Sequence, residues 1–282
     1  MYNYNMEKLI FNSEFFSAKD TLDCGQIFRY IPENAGYLVF SADKACLLTT
    51  EDDQTTALCN DADYFKNYFD EARDYQKICE SACSFGYPFL KKAAEIGKGI
   101  RILRQDTEEM LFSFIVSQNN NIPRIKGIIE RLCNGLGKPH EFMGRRYHSF
   151  PKATDIAQKT PDFYKSIGLG YRAEYLPAVA DALLNGFDLC EAAKLSTPDL
   201  KKELIKLKGV GPKVADCVIL FGFGRGDSFP VDTWIEKIYR EDFGGELTDR
   251  NKIADFFVSS FGEYAGFYQQ YVFHYKRNIL DK

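Results

Sequence analysis

Hydrophobic and polar positions along this chain fall into two regimes. In the first hundred residues the pattern is short and mixed. Tyr37 to Thr50 (YLVFSADKACLLTT) alternates and carries β-branched and aromatic residues, which predicts strands joined by turns. Phe28 to Ile31 reads as another strand, and Asp63–Glu71 and Phe89–Ile96 read as short helices. From about Asp106 onward the period is helical. Asp106 and Glu109 form a capping-box-like pair ahead of MLFSFIV. Asn121 caps the next helix, Pro123 suits its first turn, and Ile125, Ile128, Ile129 and Leu132 share one face. Asn134 and Gly135 are expected to stop it. Further helices are expected over 152–158, 161–166, 173–185, 198–206, 212–222, 232–242, 249–260 and 263–279. The fold class is therefore α+β. A small N-terminal α+β domain with an antiparallel sheet (residues 1–100) precedes a mostly helical domain (residues 101–282), with no obvious linker between them.

Composition narrows the picture further. With 282 residues, 45% of them hydrophobic and 15% aromatic, the chain can build a sizeable core and does not read as disordered. A net charge of −4 argues mildly against a nucleic-acid partner, although a local basic face can coexist with an acidic remainder. The eight cysteines are scattered, and only Cys79 and Cys83 are close. Two ligands do not make a site, so the tight spacing that holds zinc or an iron–sulfur cluster is missing and no metal is expected. Reduced thiols fit a cytoplasmic protein. The start, MYNYNMEKLIFNSEFF, has no signal-peptide layout, and no apolar run approaches the ~20 residues that span a bilayer. The expected location is the cytoplasm, beside the nucleoid in a prokaryote, with no membrane contact.

Candidate chemistry concentrates between Leu207 and Asp232, LKGVGPKVADCVILFGFGRGDSFPVD. Thr197 and Pro198 open a helix to Lys206, and Gly209, Val210 and Gly211 then turn the chain into a second helix begun by Pro212. The two glycines permit positive φ and expose backbone amides, which at a helix start bind phosphate without reading bases. Lys201, Lys202, Lys206 and Lys208 would supply a local positive field. Taken alone, this segment reads first as an ordinary helical hairpin with glycines for tight packing. Lys213 is the second residue of the new helix. The helix dipole and partial burial are both expected to lower its pKa toward neutrality, as a nucleophilic amine requires. Taken alone it also reads as a surface lysine at a helix end. Asp232 reads as an N-cap, and a carboxylate fixed there can also stabilise a developing positive charge or take up a proton.

With lysine, hairpin and aspartate in place, the chain resembles the helix-hairpin-helix DNA glycosylases that carry a catalytic lysine, and most closely the 8-oxoguanine DNA glycosylase family. Gly25 to Arg29 (GQIFR) is similar to that family's GQxFRW segment, with Tyr30 in place of tryptophan. Ile102 to Asn121, Tyr147 to Pro151, Leu169 to Ala173, Leu207 to Asp232 and Ala265 to Gln269 match in the same order. The resemblance implies excision of 8-oxoguanine from duplex DNA, with a second AP lyase activity and no cofactor. It implies that Lys213 attacks the sugar C1′ to leave a Schiff base, and that Asp232 stabilises the sugar cation. Asn119 and Tyr171 would fill or wedge the space of a flipped-out base. Arg124 and Arg172 would hold the abandoned partner, whose O2 and N3 acceptors make cytosine the expected one. Gly25 would offer its carbonyl to the N7 hydrogen of the lesion and Gln269 would meet the Watson–Crick edge. Phe273 and Cys217 would stack on the two faces, although Phe273 alone also reads as a core residue. The expected partner is double-stranded DNA containing oxidised guanine, bound by a monomer.

Three positions depart from the family. Lys208 stands where many relatives have proline and is expected to add a phosphate contact. Trp234 stands where animal relatives carry histidine, and Gln118 replaces a small serine. The last two changes lie near the site and bear on opposite-base discrimination. His140, His148 and His274 read as structural. An alkylated-base or adenine glycosylase of the same superfamily is the competing enzyme; those mostly lack the lysine, and the adenine type usually carries a cysteine cluster. A non-catalytic helix-hairpin-helix module would leave Lys213, Asp232 and Gln269 without a joint reason.

Overall fold

A computed structural model describes residues 6–280, so residues 1–5 and 281–282, the outer ends of the two expected domains, lie outside the described residues. Five strands form one antiparallel sheet: β1 (Glu7–Asn12), β2 (Tyr30–Glu33), β3 (Gly36–Ser41), β4 (Lys44–Glu51) and β5 (Gln54–Cys59), in the order β1-β5-β4-β3-β2. The Tyr37–Thr50 segment is thus a hairpin, β3 and β4, turning at Ala42 with φ 50°. The strand expected at Phe28–Ile31 instead starts at Tyr30. Phe28 leaves the ladder because its ring turns inward, 5.6 Å edge-on from Phe114. β1 and β5 are strands that periodicity did not single out. Each is six residues long and buries only alternate positions, such as Leu9 and Phe11 or Thr55 and Ala57.

One sheet face carries the helix Ala62–Tyr68, capped by Asp61, over an aromatic cluster of Phe11, Phe16, Phe65, Tyr68 and Phe69. The helices Tyr75–Ser84 and Pro88–Gly97 precede residue 100 in sequence, yet their buried faces join the helical core, where Leu90, Ala93 and Ala94 cluster with Tyr268 and Tyr271.

The expected helices are present with adjusted ends. Asp106 caps Thr107–Ser117 by accepting from the Glu109 amide at 2.8 Å, but Glu109 does not complete the box. Its carboxylate is buried and pairs with Arg29 instead. The next helix, Ile122–Leu136, is capped by Asn121 as expected, and passes through Asn134 and Gly135 to end at Gly137. Ser196, not Thr197, caps Thr197–Ile205. The 173–185 segment begins as a 3-10 turn, Gly170–Glu174, and becomes α-helical over Tyr175–Leu184. The 263–279 segment is likewise composite: a 3-10 turn, the α-helix Ala265–His274, and a π-helical turn Tyr275–Leu280. A small hairpin, Pro139–Phe142 with Arg145–His148, was also not anticipated.

The sheet is joined to the helical layer by buried polar contacts. Arg29 and Glu109 meet at 3.2 Å with both side chains almost fully covered. Glu109 also accepts from the Ala42 amide at 2.7 Å, and Arg29 donates to the carbonyls of Ala42 and His148. Removing one partner strands the other charge in the interior, which typically costs about 3–5 kcal/mol. Glu109→Ala is therefore expected to lower unfolding free energy by about that amount in urea titration; an unchanged midpoint would contradict the assignment.

Candidate active site

The helical hairpin forms as the sequence indicates. Gly209 adopts φ +83°, and a Cβ there would meet the Tyr175 ring at 2.5 Å, so only glycine fits. Gly211 does not use its freedom: at φ −91° it is the N-cap of Pro212–Phe221. No side chain caps that helix, so its first amides point outward. The expected field from four lysines is largely neutralised. Lys201 pairs with Asp216 at 2.8 Å, Lys202 with Asp199 at 2.9 Å, Lys206 with Glu203 at 2.6 Å and Lys208 with Glu174 at 3.3 Å. Acidic residues one helical turn away supply two of these partners.

Beside the hairpin lies a cleft of about 660 Å³. Lys213, Asp232, Gly25, Phe273 and Asn119 all line it, although they are spread along the chain from residue 25 to residue 273. Asp232 caps Thr233–Glu241, accepting from the amides of Trp234 and Ile235 at 3.0 Å each. The Lys213 Nζ stands 5.2 Å from the Phe114 ring centroid. Burial works against its charge, but Cys217, Asp232 and Asp216 favour it, and the net direction is upward. The expectation of a lowered lysine pKa is thereby overturned, because the acidic neighbours outweigh burial. Burial pushes the Cys217 thiol itself up to about 11, which leaves it a neutral thiol near pH 7.

Gln269 and Cys217 are buried and do not line the cleft. Gln269 donates to the Pro230 carbonyl at 3.3 Å and accepts from Gln270 at 2.7 Å. Along one side of the cleft runs the Gln118–Asn121 loop. Asn119 is exposed, holds a left-handed φ of 43°, and donates to the Tyr171 hydroxyl at 3.3 Å. Such a conformation is uncommon outside glycine and persists only where neighbours enforce it. Arg172 is the enforcer. Its guanidinium is buried, donates to the carbonyls of Gln118, Asn119 and Leu169, and stacks 4.3 Å over Tyr171. Arg172 is therefore engaged within the protein, whereas Arg124 is exposed and makes one bond, to the Gly168 carbonyl at 3.2 Å. Gln118 bridges two parts of the site. Its Nε2 donates to the Ile115 carbonyl at 3.1 Å and to the Gly209 carbonyl of the hairpin at 2.8 Å.

Ile122, Trp234, Arg250 and Arg277 also line the cleft. Trp234 was noted only as a departure, and the others were missed. Arg277 sits four residues after Phe273, a helical spacing that would have pointed to it. None of His140, His148 and His274 lines the cleft. Among the described residues, no group of three or more His, Cys, Asp or Glu side chains is placed to hold a metal ion. No helix among them is long and apolar enough to cross a membrane.

Comparison with known proteins identifies both domains. Residues 8–111 match the 8-oxoguanine DNA glycosylase N-terminal domain, and residues 112–259 match the HhH-GPD superfamily of base excision DNA repair proteins. A probable N-glycosylase/DNA lyase of Methanothermobacter thermautotrophicus is 30% identical over 68% of this chain and 69% of its own length. N-glycosylase/DNA lyase OGG1 of Arabidopsis thaliana is 34% identical over 66% of this chain and 56% of its own. Among solved structures, MBOgg1 in complex with a low-affinity DNA ligand superimposes with TM-score 0.91 at 38% identity, covering 99% of this chain and 100% of that one. The 8-oxoguanine glycosylase/lyase of Clostridium acetobutylicum, bound to double-stranded DNA with cytosine opposite 8-oxoG, gives 0.90 at 36% identity over 97% of each chain. The order of the two domains, the glycine hairpin and the lysine–aspartate cleft together place this chain in the 8-oxoguanine DNA glycosylase family of HhH-GPD proteins.

Proposed function

We infer that this chain excises 8-oxoguanine, preferably opposite cytosine, from duplex DNA and then cleaves the strand as an AP lyase. The observation that carries this reading is the convergence of Lys213, Asp232, Gly25 and Phe273 on one cleft beside a hairpin with outward amides. The N-glycosylase/DNA lyase relatives and the Clostridium acetobutylicum complex support it. Hairpin amides and the helix start grip the phosphate backbone. Asn119 and Tyr171 form the wedge that occupies the space of the flipped-out nucleotide, and Arg124, with Arg172 once its internal bonds are exchanged, faces the orphaned base. The lesion enters between Phe273 and Cys217, with its N7 hydrogen on the Gly25 carbonyl and its Watson–Crick edge on Gln269.

Chemistry then needs a neutral amine. Lys213 gives up a proton and its lone pair attacks C1′. The glycosidic bond breaks toward the base, which leaves with the bonding electrons and gains a proton. Asp232, fixed by two amides, stabilises positive charge on the sugar as that bond lengthens. The ring-opened product is a Schiff base on Lys213. Loss of a C2′ proton from it expels the 3′ phosphate. Lysine, carboxylate, wedge and hairpin all come from a single chain, so a monomer suffices.

Three outcomes test this reading. Borohydride added during reaction with an 8-oxoguanine·cytosine duplex should trap a covalent adduct that Lys213→Gln abolishes; DNA binding without any adduct would remove the catalytic claim. Because Lys213 is held above the usual amine value, free amine is the minor form at pH 7, and its share rises about tenfold per pH unit below that pKa. Single-turnover excision should accordingly climb between pH 6 and 9, and a flat profile would show that lysine deprotonation does not limit the step. Finally, Arg124→Ala should reduce the preference for cytosine when rates are compared across the four opposite bases; equal rates for the unaltered protein would refute the guanidinium argument.

A further inference from the structure

The cleft wall holds a cation that the reading above leaves without a task. Arg277 lies in the π-helical turn Tyr275–Leu280, and its guanidinium carbon is 5.3 Å from the Phe273 ring centroid. The same group reaches Gly25: a methyl placed on that glycine would come within 3.4 Å of Nη1. Arg277 therefore sits at the junction of the residue that stacks on the lesion and the residue whose carbonyl tests it. Among the described residues it makes no hydrogen bond or ion pair. A guanidinium carries five N–H donors and no acceptor, and keeps its charge. Turns of this π type are rare and recur at functional sites.

The chemistry of the lesion fits such a donor. In 8-oxoguanine the N7 hydrogen is flanked on both sides by carbonyl oxygens, O6 and O8. If N7 is directed at the Gly25 carbonyl, one of these oxygens faces the space beside Gly25, where Nη1 stands. A backbone carbonyl there accepts from N7 but repels a neighbouring carbonyl oxygen. A positive donor at the same place offsets that repulsion and rewards the oxidised edge. We propose that Arg277 is a specificity residue of the base slot, donating to a carbonyl oxygen beside N7 of the flipped-out oxidised purine. This rests on the functional reading above. On entry of the base the guanidinium moves from the face of Phe273 to its edge, a change that its long flexible stem permits.

The test separates base recognition from strand chemistry. Arg277→Leu and Arg277→Lys are compared with the unaltered chain in single-turnover reactions on two duplexes. One carries 8-oxoguanine opposite cytosine, the other a preformed abasic site opposite cytosine. Loss of a charged hydrogen bond predicts base excision slower by about 10–100-fold in the leucine variant, with partial recovery in the lysine variant. Cleavage at the abasic site, which has no base to contact, should stay within about twofold, since it needs none of that bond. Equal losses on both duplexes would overturn the proposal in favour of a phosphate contact or a structural role, and so would unchanged rates on both. If Arg277→Leu fails to fold, Arg277→Lys and Arg277→Gln carry the same comparison. Absence of excision by the unaltered chain would instead refute the functional reading itself.

Discussion

The Gln26 carboxamide is the contact on which the site depends. It is fully buried, and its two ends are used in opposite senses. Nε2 donates to the carbonyls of Thr21 at 3.0 Å and Arg101 at 2.7 Å, while Oε1 accepts from the Leu103 amide at 2.8 Å. The backbone carbonyl of Gln26 accepts from Gln105 Nε2 at 2.7 Å. A buried amide with donors and acceptor satisfied rigidifies its surroundings, because each missing partner would cost about 1–3 kcal/mol. The neighbour thus fixed is Gly25, at φ +89°. Through Gly25 and Phe28 the N-terminal layer reaches the cleft wall, so a hydrogen-bond network with no chemistry of its own fixes where that wall stands.

Electrostatics in this molecule are local. A chain with net charge −4 does not attract DNA by its overall field, and the hairpin lysines are matched by carboxylates. What remains for phosphate is a row of uncapped amides at Pro212–Phe221 and a few arginines near the cleft. The same economy of charge governs Lys213. Cys217 and, after it, the carboxylate that would assist the reaction favour its ammonium form, so nucleophile and stabiliser oppose each other before substrate arrives.

Much of the helical layer was legible because its signals are local. Asp106, Asn121 and Asp232 cap the helices they were expected to cap, and Gly209 turns where a positive φ is needed. The β3–β4 hairpin was equally plain in its alternation. What sequence did not reveal depends on partners far along the chain. Glu109 reads as half of a capping box until Arg29, eighty residues away, takes its carboxylate. Arg172 reads as a free guanidinium, whereas in the chain without DNA the carbonyls of Gln118 and Asn119 hold it. The direction of the Lys213 pKa differs in kind, because Asp216 and Cys217 are one helical turn away and only Asp232 is distant in sequence. Among the site residues, Lys213, Asp232, Gly25, Phe273 and Asn119 are brought to one cleft, while Gln269 and Cys217 are buried outside its lining.

The bridge made by Gln118 has a mechanical consequence. One carboxamide holds both the end of Thr107–Ser117 and the carbonyl of Gly209, at 3.1 Å and 2.8 Å. The strained Asn119 follows directly, and the outward amides begin two residues beyond Gly209. Neither part can shift against the other without breaking that bridge. The exposed Asn119 tip and the start of the hairpin's second helix are therefore held as one unit, so a load placed on either is carried to the other.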